Sequence, residues 1–183
     1  MHYLKYISLV TTLSFYVLVG QNSKDEIWSK ENFSGLKFRS IGPAFMSGRI
    51  SDIAFHPDNE SIWYVTVGSG NVWKTVNSGV TWTPIFDDQN SYSIGCVTID
   101  PNNPNTVWVG TGENLGGRHF GYGDGLYKSN DGGQSWVNMG LKKSEHISEV
   151  LIHPENSDVI WVASQGPMWS SGGQRGVYKS NDG

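Results

Sequence analysis

Ser129-Asn130-Asp131-Gly132-Gly133-Gln134-Ser135-Trp136 is the stretch of sequence that decides the fold. It follows Gly125-Leu126-Tyr127-Lys128, and the same phrase begins again at Gly176 and runs to Gly183. A more divergent copy spans residues 71–82, with Asn77 in the place of Asp131. Three copies of one short unit predict a repeat architecture in which each unit packs against the next.

The segments before each copy of the phrase repeat as well. An apolar strand ends at Pro57, at Pro101 and at Pro154, which lie 44 and 53 residues apart. Proline ends a strand because it has no N–H for the ladder. A polar turn and a second apolar strand follow, then a third strand before the phrase and a fourth after it. Four short antiparallel strands in each unit are typical of the blades of a β-propeller.

We therefore predict an all-β fold, a β-propeller built from four-stranded antiparallel blades. About three blades are present, at about residues 48–86, 92–140 and 146–183. A closed propeller needs about 4–8 blades. Residues 36–183 are thus interpreted as the N-terminal part of a propeller truncated at its C-terminus, and residues 36–41 as the strand that closes the ring.

The N-terminal residues have the features of an export signal. Lys5 supplies a basic start, an apolar run extends from Ile7 to Val19, and the small residue Gly20 ends it. That run is short for a membrane span, so the pattern favours a cleaved signal peptide over residues 1–20 rather than an anchor, although Leu18 is large for a cleavage site. We predict a secreted or periplasmic protein with no membrane contact after cleavage, and a linker at residues 21–35.

Composition excludes several kinds of function. Thirteen Lys and Arg residues against 17 Asp and Glu residues give a formal net charge of −4, so no basic field recruits nucleic acid. The single cysteine, Cys96, allows no internal disulfide, and its apolar strand indicates a buried thiol rather than a nucleophile. No pattern predicts a cofactor or a metal site.

The repeated phrase and its surroundings resemble a known family. Ser-x-Asp-x-Gly-x-x-Trp is the Asp-box, or bacterial neuraminidase (BNR) repeat, and residues 129–136 match it in full. With Arg39-Ser40-Ile41-Gly42-Pro43 and Val109-Gly110-Thr111-Gly112-Glu113-Asn114, the chain resembles large secreted bacterial proteins of the sortilin-like and xyloglucanase-like propeller group. The motif is shared by sialidases, xyloglucanases, sortilin-type receptors and photosystem assembly factors, so the resemblance implies architecture rather than activity.

Four residues of the box are predicted to hold its turn: Ser129, Asp131, Gly133 and Trp136. An aspartate at such a position accepts backbone N–H bonds, glycine adopts a positive φ, and the indole packs over the hairpin. The alternative, Asp131 as a metal ligand or a catalytic acid, is the rarer role of a turn aspartate.

The candidate binding residues lie on the other side of the propeller. In an up-and-down blade, the loops between second and third strands share one rim with the links between blades. These loops differ most between the repeats, and insertions on one face of an array usually mark the binding face. The candidates are Arg49, Arg118, His119, Phe120, Tyr122, His146, Trp169 and Arg175.

Two of the features on this rim have open alternatives. Trp169 has no counterpart in the other repeats, so it either stacks on a sugar ring or peptide side chain or folds back over its own blade. Asp52 and Glu149 occupy equivalent positions in first strands, where a carboxylate needs a partner. A structural ion pair with Arg49 or Arg118 is the expectation.

Two classes of function follow. The first is a binding or scaffold module that captures a protein, a peptide or a glycan on the loop-rich rim. The alternative is a glycoside hydrolase of the xyloglucanase or sialidase type, for which Glu113 and Asp124 are the candidate carboxylates. The resemblance to xyloglucanases implies an aspartate after the second strand of blade one, where this chain reads Val67-Gly68-Ser69-Gly70-Asn71. The missing acid favours binding over hydrolysis.

Overall fold

The structure is a computed structural model that describes Gly35, residues 48–114 and residues 120–183. The chain divides into two compact units, Met1–Gly42 and Pro43–Gly183, and every described strand belongs to the second. The predicted signal peptide, the linker, the closing strand at 36–41, and the candidates Arg118 and His119 lie outside the described residues.

The described strands form three antiparallel sheets. The first contains β1 (Ile50–Phe55), β2 (Trp63–Val67), β3 (Asn71–Thr75) and β4 (Thr83–Pro84). The second contains β5 (Ile94–Ile99), β6 (Val107–Thr111), β7 (Leu126–Ser129) and β8 (Val137–Gly140). The third contains β9 (Ile147–His153), β10 (Asn156–Ser164) and β11 (Gly176–Ser180). The described residues include no helix. The all-β propeller prediction is confirmed.

The middle blade is buried on both faces. Side chains alternate across a strand, so on β6 Val107 and Val109 join one apolar cluster with the first blade. Trp108, between them, joins a second cluster with the third blade. All five residues of β6 are buried. This is why the strand reads as a continuous apolar run rather than as an alternation of apolar and polar residues.

The first strands of the three blades lie next to one another. Strand β5 contacts β1 on one side and β9 on the other. Gly95 permits the second contact, because a Cβ at this position would lie 2.0 Å from the carbonyl oxygen of Ile147. Strand β4 has only two residues and ends at Pro84, which lacks an N–H for the ladder. Strand β10 begins at Asn156, which pairs with His153 of β9 across a tight hairpin.

Candidate functional site

The Ser129–Trp136 turn is closed by the carboxylate of Asp131. Its Oδ1 accepts the backbone N–H groups of Gln134 and Ser135, both at 2.9 Å. The hydroxyls of Ser135 and Ser129 donate to Oδ2 and Oδ1 at 2.5 and 2.7 Å. These bonds hold the pKa of Asp131 well below its usual range, and the bond from the Ser135 hydroxyl contributes most. The oxygens are therefore engaged within the turn itself.

The divergent copy of the turn is closed in a similar way, and the third copy begins with the same serine–aspartate bond. Asn77 Oδ1 accepts from the Thr81 backbone N–H at 2.9 Å and from the Thr75 hydroxyl at 3.0 Å. Ser180 Oγ donates to Asp182 Oδ1 at 2.7 Å. An amide oxygen thus replaces the carboxylate in the divergent copy without changing the turn.

The turn also joins one blade to the next. The indole Nε1 of Trp136 donates to the carbonyl of Ile85, at the end of the first blade, at 2.8 Å. Lys74 of β3 donates to the carbonyl of Gly132 at 2.8 Å, and Tyr64 donates to the same oxygen at 3.1 Å. The sequence predicted packing of the indole over its own hairpin and missed these contacts. The recurrence of lysine at one position of every third strand was the available signal.

The opposite rim contains a buried ion pair between blades. Glu113 follows β6, and its side chain is fully buried. Both Nε and Nη2 of Arg49, a half-exposed side chain from the start of the first blade, donate to Oε1 of Glu113. Gly68 allows the approach, because a Cβ there would lie 2.7 Å from the same oxygen. Glu113 is thus held by charge and packing between the first two blades.

Arg49 is not the partner of Asp52, and Arg118, the other expected partner, lies outside the described residues. Arg49 pairs with Glu113, and Asp52 Oδ2 accepts the backbone N–H of Val97 in the neighbouring blade at 2.9 Å. Partial burial, followed by the charge of Asp52, raises the pKa of Glu149. Cys96 is buried near Asp52 and Glu149. Its burial, followed by the charges of Glu149 and Asp52, raises the pKa of its thiol far above the ordinary value.

Four predicted binding residues form one aromatic cluster. We call Phe120, Tyr122, His146 and Trp169 the rim cluster. The Trp169 ring lies nearly parallel to Phe120, at 11° and 6.0 Å between centroids, and 73% of Trp169 is exposed. The His146 ring meets Phe120 edge-on at 5.1 Å and Tyr122 at 5.5 Å. The cluster therefore presents an exposed indole face above a buried imidazole.

His146 lies below the surface rather than on it. The residue is fully buried, and neither ring nitrogen has a hydrogen-bond partner among the described residues. Burial lowers the pKa of His146, while the backbone of Glu113 and the charges of Glu145 and Glu113 oppose this shift. Because it is covered, His146 supports the cluster instead of contacting a ligand from the free surface.

The remaining described candidates have separate contacts. Arg175 is exposed, and its guanidinium donates to the carbonyl of Pro167 within its own loop. Asp124 is half-buried, and its Oδ2 accepts the hydroxyl of Tyr127 at 2.7 Å. The structure does not place Asp124 in a hydrogen bond or ion pair with Glu113 among the described residues.

The buried polar atoms that lack a partner are concentrated on this rim. In the described ranges such side-chain atoms are Asn71 Oδ1, Glu113 Oε2, Asn114 Oδ1, Asp124 Oδ1, Ser144 Oγ and both ring nitrogens of His146. Asn71 is the first residue of β3, and the others belong to the loop between β6 and β7 or to the link between β8 and β9. Such atoms are rare in folded proteins, since each one carries a desolvation penalty. Sequence reasoning had no means of finding them.

Two features are absent from the described residues. No helix there is long and apolar enough to cross a membrane. In the same residues, no group of three or more His, Cys, Asp or Glu side chains is placed to hold a metal ion.

Comparison with known proteins supports the fold. No protein-family model matches the chain, and no curated protein is similar to it. Among solved structures, an ancestral GH74 enzyme is 20% identical, with a TM-score of 0.56 over 73% of this chain and 17% of that one. The GH74 enzyme of Niastella koreensis is 26% identical, with a TM-score of 0.52 over 69% of this chain and 19% of that one. The chain therefore spans less than a fifth of the length of these relatives, and its fold is a β-propeller similar to theirs.

Proposed function

We propose that this chain is the N-terminal part of a secreted, sortilin-like Asp-box propeller that binds a protein, peptide or carbohydrate on its loop-rich rim. In this proposal residues 1–20 are a signal peptide, residues 21–35 are a linker, and residues 36–183 belong to the propeller. Residues 129–136 are its complete Asp-box. Phe120, Tyr122 and Trp169 contact the ligand, and His146 supports them.

The observation that carries the proposal is the gathering of unpartnered polar atoms on one rim. A rim that served only to fold the chain would pair its polar groups, as the Ser129–Trp136 turn does even though it is largely exposed. Four of the unpartnered groups are oxygen acceptors, from Asn71, Glu113, Asn114 and Asp124. They suit a ligand rich in N–H or O–H donors, and the exposed face of Trp169 suits a ring or a planar group.

Replacing Trp169 with alanine is expected to weaken ligand binding at least about fivefold, because a stacked ring contributes about 1 kcal/mol beyond its buried area. Titration calorimetry with xyloglucan oligosaccharides, mixed-linkage β-glucan and a set of extended peptides identifies the ligand and measures the loss. Trp82→Ala is the matched control, since Trp82 is also partly exposed but lies in the first-blade copy of the turn. Equal losses from both variants contradict the proposal.

A glycoside hydrolase of the GH74 type is the second candidate, supported by the 26% identity to the Niastella koreensis enzyme. Glu113 is a poor general acid or base, because Arg49 and the surrounding protein hold it as a buried ion pair. We expect no reducing sugar to be released from xyloglucan, β-glucan or sialosides by the protein. Turnover that Glu113→Gln or Asp124→Asn abolishes, while Trp82→Ala leaves it intact, establishes the hydrolase instead.

A further inference from the structure

We infer that acidification releases the rim cluster, because His146 is packed beneath it as a neutral ring with no hydrogen-bond partner among the described residues. The inference rests on the proposed function only in treating the cluster as the ligand-binding surface. The release itself is a property of the protein without ligand, and it is tested that way.

The packing does not supply acceptors for two ring N–H groups. A neutral imidazole has one N–H and one acceptor nitrogen, whereas the charged ring has two N–H groups that need acceptors. Both nitrogens of His146 are buried, neither makes a hydrogen bond of good geometry to a described residue, and the ring is flanked by Phe120 and Tyr122. The Glu113 backbone offers a nearby acceptor for one ring N–H, and the second N–H has none. A proton added here creates a charge with an unsatisfied donor, which the cluster can relieve only by letting the ring reach water.

The charges around His146 decide how strongly it resists protonation. Burial disfavours the charged ring with the largest contribution, while the Glu113 backbone and the charges of Glu145 and Glu113 favour it. The Glu113 charge is already engaged by Arg49. Asp124 and Arg175 are hydrogen-bonded to Tyr127 and Pro167. The net result is a pKa below the ordinary value of about 6.5.

The sign of the pH effect follows from this lowered pKa. Packed His146 binds fewer protons than released His146, so the packed state is fully stabilised above pH ~6.5. Below that pH the equilibrium constant between packed and released states shifts toward release by up to tenfold for each pH unit, until the pH passes the lowered pKa of the packed ring. Release of His146 frees Phe120, and Phe120 is the ring on which Trp169 stacks. Acid therefore disrupts the stack of Trp169 on Phe120 that presents the exposed indole face.

Two backbone amides report the packing directly. The Gly123 N–H donates to the Glu145 carbonyl at 2.7 Å, and the Gln165 N–H donates to the His146 carbonyl at 2.8 Å. NMR spectra of the whole chain without ligand, from pH 8 to pH 4.5, are expected to show both resonances moving together with a midpoint below pH ~6.5. His146→Phe should abolish this transition. His153→Gln, a partly exposed histidine outside the rim cluster, should leave it unchanged.

Unchanged Gly123 and Gln165 resonances across this range overturn the inference, as does the same transition in His146→Phe. Should that variant fold poorly, the ring resonances of His146 in the native protein decide the matter. A ring that titrates at or above pH ~6.5 while the two amide signals stay constant also contradicts release. If the transition occurs but the ligand affinity measured with Trp169 intact does not change with pH, the switch stands and the proposed binding surface is wrong.

Discussion

Replacing Trp136 with alanine is expected to lower the free energy of unfolding by about 3 kcal/mol. This value is at the low end of the range for a buried tryptophan, because Trp136 is only half-buried. The indole packs edge-on against Phe86 at 5.1 Å, and its Nε1 donates to the Ile85 carbonyl. Both contacts lie in the preceding blade. The substitution thus removes apolar contact between two blades and leaves a carbonyl without its donor. Urea unfolding followed by circular dichroism measures the loss.

The repeat provides the control for this experiment. Trp82 occupies the same position in the first-blade turn, is 38% exposed, and contacts Trp63 of its own blade at 6.2 Å. Its Nε1 makes no hydrogen bond to another described residue. Trp82→Ala should therefore cost less than half as much as Trp136→Ala. Similar losses would mean that the tryptophan stabilises its own hairpin, as the sequence suggested, rather than the joint between blades.

The fold was predictable because its signals are local. Each first strand ends at a proline, and the second and third strands repeat as short apolar runs within one unit. The joints between blades were not predictable in the same way. Trp136 and Ile85 are 51 residues apart, and the acceptor is a backbone carbonyl that no residue identity reveals. The same holds for Asp52, which accepts the backbone N–H of Val97, 45 residues away, while Arg49 pairs with Glu113.

The candidate site was predictable only as a set of loops. Trp169 and Phe120 were identified because their segments have no equivalent in the other blades, but repeats cannot predict how two unique loops meet. Their parallel stack, and the position of His146 below it, depend on contacts between the second and third blades. Burial was the missing information, since His146 and Glu113 were treated as surface residues and both are fully buried.

The two rims of the propeller are built on different principles. The turn at 129–136 uses its polar atoms within the turn and in contacts to the preceding blade, which makes that rim a structural joint. The loop-rich rim leaves buried acceptors unpaired around an exposed ring. Unpaired buried groups cost stability, and they are retained where a partner arrives from outside. This contrast supports ligand binding on the loop-rich rim independently of any relative.

Arg49→Met is expected to lower the free energy of unfolding by about 2–3 kcal/mol. Removing one member of a fully buried pair costs about 3–5 kcal/mol, and the half-exposed Arg49 side chain reduces this value. The variant keeps the aliphatic stem but leaves the Glu113 carboxylate buried without its charge partner, and Glu113 already has one unpartnered oxygen. Chemical unfolding at neutral pH measures the effect.

A second substitution separates charge from packing in this pair. Glu113→Gln in the Arg49→Met background removes the stranded charge while keeping the side-chain volume, so the double variant should recover at least half of the lost stability. It should also retain the Gly123 and Gln165 amide signals of the native rim, because His146 and its aromatic neighbours are unchanged. If Glu113→Gln gives no recovery, the cost of Arg49→Met lies in lost packing, and Glu113 is not held in place by the ion pair.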